Sequence, residues 1–270
     1  MEKIVAIIQA RQTSTRLPNK MLMPIYKKMT ALEIMVHRLK LSKLLDDIVI
    51  AIPDNKSNNE LYKLVKNIKD ITVFRGSENN VLERVYFAAK EQYNILPLNI
   101  YDSKKNDIVI VDLTGDCPFI DPYILDDMIN EYLYKQYDYY SNTITRSYPD
   151  GMDIQIYPFS IFKFLYEKIY WKTIQHRYHT GWNILHYSSE LNFFMSSHLK
   201  LCNHSCPNIL YWPELGLTLD TIEDLRFLKE IIKNLNYLNF KLYDIITLLK
   251  IKPELLEINK SVKRNIPGVE

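Results

Sequence analysis

Lys3–Gln9 (KIVAIIQ) is a compact apolar run, rich in Ile and Val, that gives way at once to a polar stretch over residues 10–20. A run of that length, β-branched and without polar alternation, suits a strand buried on both faces. Such strands belong to parallel sheets. The next hundred residues alternate strand and helix signals. Leu32, Met35, Val36 and Leu39 recur at helical spacing, with Thr30 placed to cap that helix and Glu33 three residues on. A second strand is predicted over Asp47–Ile52 and stopped by Pro53, then a helix over Ser57–Lys66. A third strand is predicted over Ile71–Phe74, a helix over Asn80–Tyr93 and a fourth strand over Asp107–Leu113. Alternation of this kind implies an α/β fold, a mostly parallel sheet with helices on both faces. Ligands of such sheets bind at the carboxyl ends of the strands, so the loops after the first, third and fourth strands are where chemistry is expected.

Beyond Pro122 the pattern is mixed. Tyr123–Tyr134 reads as a helix. Asp138–Ser141 and Asp153–Tyr157 read as strands of a different sheet or an excursion. Ile161–His186 reads as helical and rich in aromatics, and a final helix carries Leu225, Leu228, Ile231 and Ile232, capped by Thr221 or Asp220. With no repeat or linker, the expectation is one domain over residues 1–270 with an inserted arm at about 140–205. A hydrophobic fraction of 47% is enough for a sizeable core. The net charge of +2, from 34 basic and 32 acidic residues, gives no reason to expect nucleic acid or a membrane surface as partner. No stretch approaches the ~20 apolar residues of a membrane span, and the first apolar run is short for a signal peptide. Three cysteines cannot all pair, so a reducing, cytoplasmic location is expected.

The first loop concentrates chemistry. Arg11, Thr13, Ser14, Thr15, Arg16 and Lys20 converge at one strand end, with Pro18 stiffening the turn. Planar bidentate donors, a point charge and hydroxyls together are what a polyphosphate needs; a solvated basic loop is the alternative. The loop lacks the glycines of a Walker or Rossmann motif, since the first glycine of the chain is Gly76. Two acidic residues stand at strand ends far apart in sequence. Asp116 comes after the fourth strand in Thr114-Gly115-Asp116-Cys117-Pro118, where Gly115 allows a sharp turn. Asp220 precedes the last predicted helix. Such a pair suits Mg²⁺, which takes one or two carboxylates. Helix capping by Asp220 and turn chemistry at Asp116 are the alternatives.

The string ARQTSTRLPNK resembles A-R-x-x-S-x-R-L-P-x-K, the N-terminal signature of the cytidylyltransferases that activate acylneuraminate and 3-deoxy-manno-octulosonate. The resemblance is nearest to the branch called spore coat polysaccharide biosynthesis protein F. Four further stretches match in order. FRGSENNVLERVYFAA resembles F-R-G-S-E-x-D-V-L-x-R, and VDLTGDCPFIDP resembles R-L-T-G-D-C-P-L-I-D-P. YPDGMDIQIY resembles Y-P-x-G-L-D-V-E-V, and LGLTLDTIEDLRFL resembles L-R-x-T-V-D-T-P-E-D. The family has Gly where Asn19 and Lys27 stand and an acidic residue where Gln155 stands. Its Glu-His-Val-Thr segment is blurred in residues 175–180.

The resemblance implies a Rossmann-like nucleotidyltransferase (GT-A-like) fold with a dimerisation arm, CTP as donor, Mg²⁺ and a homodimer. It places the metal on Asp116 and Asp220, and the catalytic set is Arg11, Arg16, Lys20, Asp116 and Asp220. CTP contacts are expected from Ala10, Arg11, Ser14, Thr15, Arg16, Lys20, Arg75, Ser77, Thr114 and Gly115. The acceptor, an acidic sugar or similar small molecule, is expected at Asn142, Arg146, Tyr148, Asp153 and Gln155. The aromatic stretch Phe159–Tyr187 is read as the dimer arm. A sugar phosphate or phosphonate acceptor, or a glycosyltransferase of the same fold, are the rival readings. His198, Cys202, His204 and Cys206 are metal-type residues whose spacing does not match a usual zinc site.

Overall fold

The computed structural model describes residues 2–93, 107–169 and 179–264. Its elements begin with β1 (Lys3–Gln9), the small hairpin β2 (Pro24–Tyr26) and β3 (Met29–Thr30), α1 (Ala31–Leu39), β4 (Asp47–Pro53) and α2 (Asn59–Val65). They continue with β5 (Thr72–Gly76), α3 (Val81–Tyr93), β6 (Ile108–Thr114), α4 (Pro122–Lys135), β7 (Tyr139–Ser141) and β8 (Gln155–Pro158). The last are α5 (Phe159–Phe164), α6 (Trp182–His186), α7 (Ser188–Met195), β9 (Leu201–Asn203), α8 (Ile222–Leu235) and α9 (Leu242–Ile251). One seven-stranded sheet runs β5-β4-β1-β6-β8-β7-β9. Strands β5, β4, β1 and β6 are parallel neighbours, β8 is antiparallel to both β6 and β7, and β9 is parallel to β7. The fold is the expected α/β arrangement around a mostly parallel sheet.

β1 is the centre of this arrangement. Val5, Ala6, Ile7 and Ile8 are all fully buried, because strands flank β1 on both sides and helices cover both faces. Alternate side chains enter two cores. Ala6 and Ile8 join the apolar faces of α1, α4, α8 and α9, while Val5 and Ile7 join those of α3 and α5. Burying a branched side chain stabilises by about 1.5–3 kcal/mol, so Val5, Ile7 and Ile8 contribute roughly 5–9 kcal/mol before any ordering cost. The chain leaves β1 for β4 and β5 on one side, then crosses back to β6 on the other. That reversal opens a crevice at the carboxyl ends of β1 and β6.

Three expectations are corrected. The segments at 138–141 and 153–157 are not a separate sheet: Gln155 pairs with Asp112 across β6–β8, so β7 and β8 extend the central sheet. Strands of three or four residues carry too little periodicity to show which edge they join. Ile161–His186 is not one helix. α5 ends at Phe164, a π-helical turn spans Leu165–Ile169, and α6 starts at Trp182. Nor is α8 the last helix, since α9 packs against it.

The α1 start behaves as its residues suggest. The Thr30 hydroxyl and backbone are bound reciprocally by the Glu33 amide and carboxylate, the Thr30 N–H donating to Glu33 Oε2 at 2.8 Å. The two positions where the resemblance has glycine both adopt left-handed backbone, Asn19 at φ 60° and Lys27 at φ 53°. Asparagine tolerates that region; lysine is strained there by about 1–2 kcal/mol. Lys27→Gly should therefore stabilise the protein by about 0.5–1 kcal/mol once the extra backbone entropy of glycine is offset. Asn19→Gly should change little. Denaturant midpoints of the two variants measure the difference, and equal effects would show that the strain at Lys27 is relieved some other way.

Candidate active site

The crevice is lined by Gln9, Ala10, Arg11, Ser14, Thr15, Arg16, Lys20, Met21, Val81, Arg84, Thr114 and Asp116. β1 therefore delivers its loop to the place the sheet topology leaves open. Gln12 braces this loop. Its backbone N–H donates to Asn58 Oδ1 at 2.7 Å, and its side chain donates to Asn19 Oδ1 at 2.9 Å. Thr13 donates to Glu78, a carboxylate that Asn55 and Asn58 also bind. Thr13 is therefore used to tie the loops together. Gly115 has ordinary backbone. A Cβ there would meet Leu32 Cδ2 at 2.8 Å and Gln9 O at 3.1 Å, so its smallness lets the β6 end lie flush against β1.

Lys20 is the hub. Its ammonium lies 2.8 Å from Asp116 Oδ2 and 2.9 Å from Asp220 Oδ1, and its side chain is only 8% exposed. Arg16 reaches the same Asp220 oxygen at 2.8 Å from a more exposed position. Burial alone would lower the Lys20 pKa, but Asp116 and Asp220 outweigh it and hold it above its ordinary value. Burial likewise opposes ionisation of Asp116, and Lys20 overcomes it, keeping that carboxyl below its ordinary value. Asp220 is free for this role because Thr221 is the cap of α8, its hydroxyl accepting from the Asp224 amide in a reciprocal capping box. The Leu219 N–H donates to Asp116 O at 2.8 Å, which sets the two acidic residues side by side.

Arg84 is a residue that the sequence pattern does not single out. It lines the crevice from α3 and is 2% exposed, with one guanidinium nitrogen on Ser77 O at 2.5 Å. Its Nε finds no acceptor among the described residues. Burial lowers its pKa to about 10; Glu78 opposes this and Arg11 adds to it. Two neighbouring guanidiniums that repel one another across a crevice make a place for an anion. A signal for it exists, because Arg84 is the last residue of the third-strand motif.

Other expected residues lie elsewhere. Arg75 is outside the crevice, donating to Asn55 O at 3.1 Å and Asn59 Oδ1 at 3.0 Å with its guanidinium over the Tyr62 ring. The Ser77 hydroxyl accepts from Asn80 N–H at the start of α3. Asn142 is buried, its amide donating to Met152 O at 2.7 Å and accepting from Ile154 N–H at 2.9 Å. Tyr148 is buried against His204. Gln155 accepts from the Tyr139 hydroxyl at 2.9 Å.

Arg146 forms a two-pronged pair with Asp153, both contacts at 2.7 Å, and lies 3.7 Å from Asp150. Burial, then Asp153, push Asp150 up to about 6, against the pull of Arg146 and Arg264. Both His204 nitrogens face tyrosine hydroxyls, and no group of three metal-type residues that could hold an ion occurs among the described residues. Most of the 175–180 segment lies outside the described residues.

Lys20→Met should cost about 3 kcal/mol at neutral pH, since it leaves a buried and a half-buried carboxylate facing each other with only Arg16. Asp116 is held below its ordinary value, so its share is present above pH about 4 and fades as pH falls through its folded pKa. Lys20 is held above its ordinary value, so its share is present below pH about 10 and fades as pH rises through its folded pKa. Thermal unfolding of wild type and variant across pH should show a stability difference that is flat between those limits and shrinks beyond them. A difference that grows with acidity would contradict the pairing.

Residues 5–150 match the sequence profile of a family described as cytidylyltransferase. An uncharacterized protein of Methanocaldococcus jannaschii is 32% identical over 262 residues, covering 97% of this chain and 96% of that one. The spore coat polysaccharide biosynthesis protein SpsF of Bacillus subtilis is 38% identical over 143 residues, 52% of this chain and 53% of that protein. Among solved structures, a cytidylyltransferase from Leptospira borgpetersenii superposes with a TM-score of 0.76 at 30% identity, covering 98% of this chain and 100% of that one.

Proposed function

Because this chain belongs to the cytidylyltransferase family, and so is a nucleotidyltransferase, we propose that it transfers CMP from CTP to an acidic sugar, a nonulosonic or related acid, releasing pyrophosphate. The product would serve surface polysaccharide or glycan synthesis. The observation that carries this reading is the crevice itself, where Arg11, Arg16, Lys20 and Arg84 face Asp116 at the β1–β6 strand ends. A triphosphate would bring negative charge into the crevice that Arg11 and Arg84 both line. Ser14, Thr15, Thr114 and the backbone at Ala10 and Gly115 are the neutral donors and close approaches around it.

An acceptor oxygen attacks the α-phosphorus, and the bond to the β-phosphate oxygen breaks. Such transfers depend on positioning and charge stabilisation more than on covalent help from the protein. Arg11, Arg16 and Lys20 hold the β- and γ-phosphates and stabilise the charge that collects on the leaving pyrophosphate. Asp116 and Asp220 would hold Mg²⁺. The fit rests on Lys20, whose ammonium already bridges one oxygen from each carboxylate, the hard oxygen donors that Mg²⁺ takes. When bound, Mg²⁺ supplies Lewis-acid polarisation of the α-phosphate. With the carboxylates so engaged, Lys20 would be left to serve the phosphates.

The acceptor side is read from Asn142, Arg146, Tyr148, Asp153 and Gln155. Asn142 and Tyr148 shape its wall from within. Arg146 would receive an acceptor carboxylate by exchanging Asp153 for it. Exposed Phe193 and Phe194 on α7 support a homodimer through the 140–205 region, inserted in a single domain. No helix among the described residues is long and apolar enough to cross a membrane, and a cytoplasmic setting agrees with three free cysteines.

Pyrophosphate release with the four nucleoside triphosphates and a panel of acidic sugars, sugar phosphates and phosphonates tests the reaction. CTP with an acidic sugar should be the fastest pair; turnover with every triphosphate alike would refute the donor assignment. Arg16→Ala should weaken CTP far more than CMP. One charge-assisted phosphate contact is worth about 1.5–3 kcal/mol, roughly ten- to a hundredfold in affinity. Arg16→Lys should recover part of the loss. Calorimetric titration of both nucleotides decides the matter, and equal losses would move Arg16 from the terminal phosphates to the α-phosphate or the loop.

A further inference from the structure

Asp220 is held by more than its own loop. The Asp220 and Thr221 N–H groups donate to Asp224 Oδ2 at 3.2 and 2.9 Å, and the Thr221 hydroxyl donates to the same oxygen at 3.1 Å. Asp224 is fully buried, and its other oxygen needs a donor of its own. The C-terminal segment provides two. Arg264 lies 2.5 Å from Asp224 Oδ1, and Asn259 donates to that oxygen at 3.0 Å. The same guanidinium donates to the Thr218 hydroxyl at 2.7 Å and sits 3.6 Å from Asp150. Asp150 in turn faces Arg146, which grips Asp153. Five charges of alternating sign therefore run from the acceptor side to the turn that bears Asp220. Arg264 is the link that touches that turn from both sides, at Thr218 before Asp220 and at Asp224 after it.

Gly216 makes room for this link. A Cβ at Gly216 would fall 1.8 Å from Arg264 Nε and 1.9 Å from its Cζ. The side chain lies flat on that glycine, and nothing larger leaves it there.

We propose that Arg264 is a positioning residue for the metal-and-phosphate site: it fixes the 216–224 turn, and through Asp224 the direction of the Asp220 carboxylate. The inference rests on Asp220 being a metal ligand, as read above. An error of about half an ångström or 10–20° in such a ligand is enough to degrade a site, and Arg264 is the group whose removal leaves Asp224 as a buried carboxylate without its cation.

The test uses the full chain and Mn²⁺ as probe, titrated by proton relaxation in the presence of CTP. Amide exchange at Asp220 and Thr221 is followed in parallel. Arg264→Ala and Gly216→Ala should each weaken Mn²⁺ about tenfold or more, speed exchange at both amides and lower kcat, while CTP binding in EDTA stays within about twofold. Arg264→Lys should fall between, since one ammonium cannot serve Asp224, Thr218 and Asp150 together. Gly216→Ala displaces a flexible side-chain end and spares the backbone, so it and Arg264→Lys carry the test if Arg264→Ala does not fold. Mn²⁺ affinity within about twofold of wild type in the folded variants, whatever their melting temperatures, would overturn the proposal. Wild type that binds no Mn²⁺ with CTP while exchange still speeds up in the variants would overturn the metal reading, and the proposal with it.

Discussion

A single ammonium group between two carboxylates organises the strand-end crevice of this molecule. Lys20 comes from the loop after β1, Asp116 from the turn after β6 and Asp220 from the approach to α8. Each acid alone would repel the other at this distance, and each would resist the burial that the sheet imposes. With Lys20 between them the three segments close over the strand ends. With Arg16 also on Asp220, two cations balance the two carboxylates. One buried group thus holds three distant segments together at the strand ends.

How much of this is legible in the sequence depends on how local each cause is. β1 is legible to the residue, because seven positions of buried strand need no partner to be recognised. The α1 cap is legible for the same reason, since Thr30 and Glu33 speak only to each other. The gathering of Arg11, Arg16 and Lys20 with Asp116 comes from the parallel-sheet pattern and from the resemblance together. α9 escapes the pattern because its start, Lys241, carries no usual capping side chain. β7 and β8 look detached from the main sheet because pairing partners of short strands are chosen by packing. The Arg146–Asp153 pair is invisible as a pair, since seven positions of irregular chain separate two groups that nothing in the pattern brings together. Arg84 looks in sequence like one more polar position on a helix, when burial at the N-terminal turn of α3 makes it a wall of the crevice.

The crevice also shows why glycine need not stand where left-handed turns recur. Asn19 and Lys27 adopt the same backbone region, but Asn19 is tied into the loop by Gln12 and belongs to a residue type that tolerates it. Lys27 lies on the β2–β3 hairpin, outside the crevice lining. Its strain is a cost that the rest of the fold carries.

The distance of 200 positions between Lys20 and Asp220 has a meaning during synthesis. At about 5–20 residues per second, roughly 10–40 s pass between the emergence of the lysine and that of its second acid. Through that interval the loop after β1 can form on a sheet that already contains Asp116, while Lys20 has only one of its two acidic partners. The residues that line the crevice, from Gln9 to Asp116, are therefore all made before the acid that completes the Lys20 contacts. The Lys20 bridge is completed last, in chains whose synthesis has passed the approach to α8.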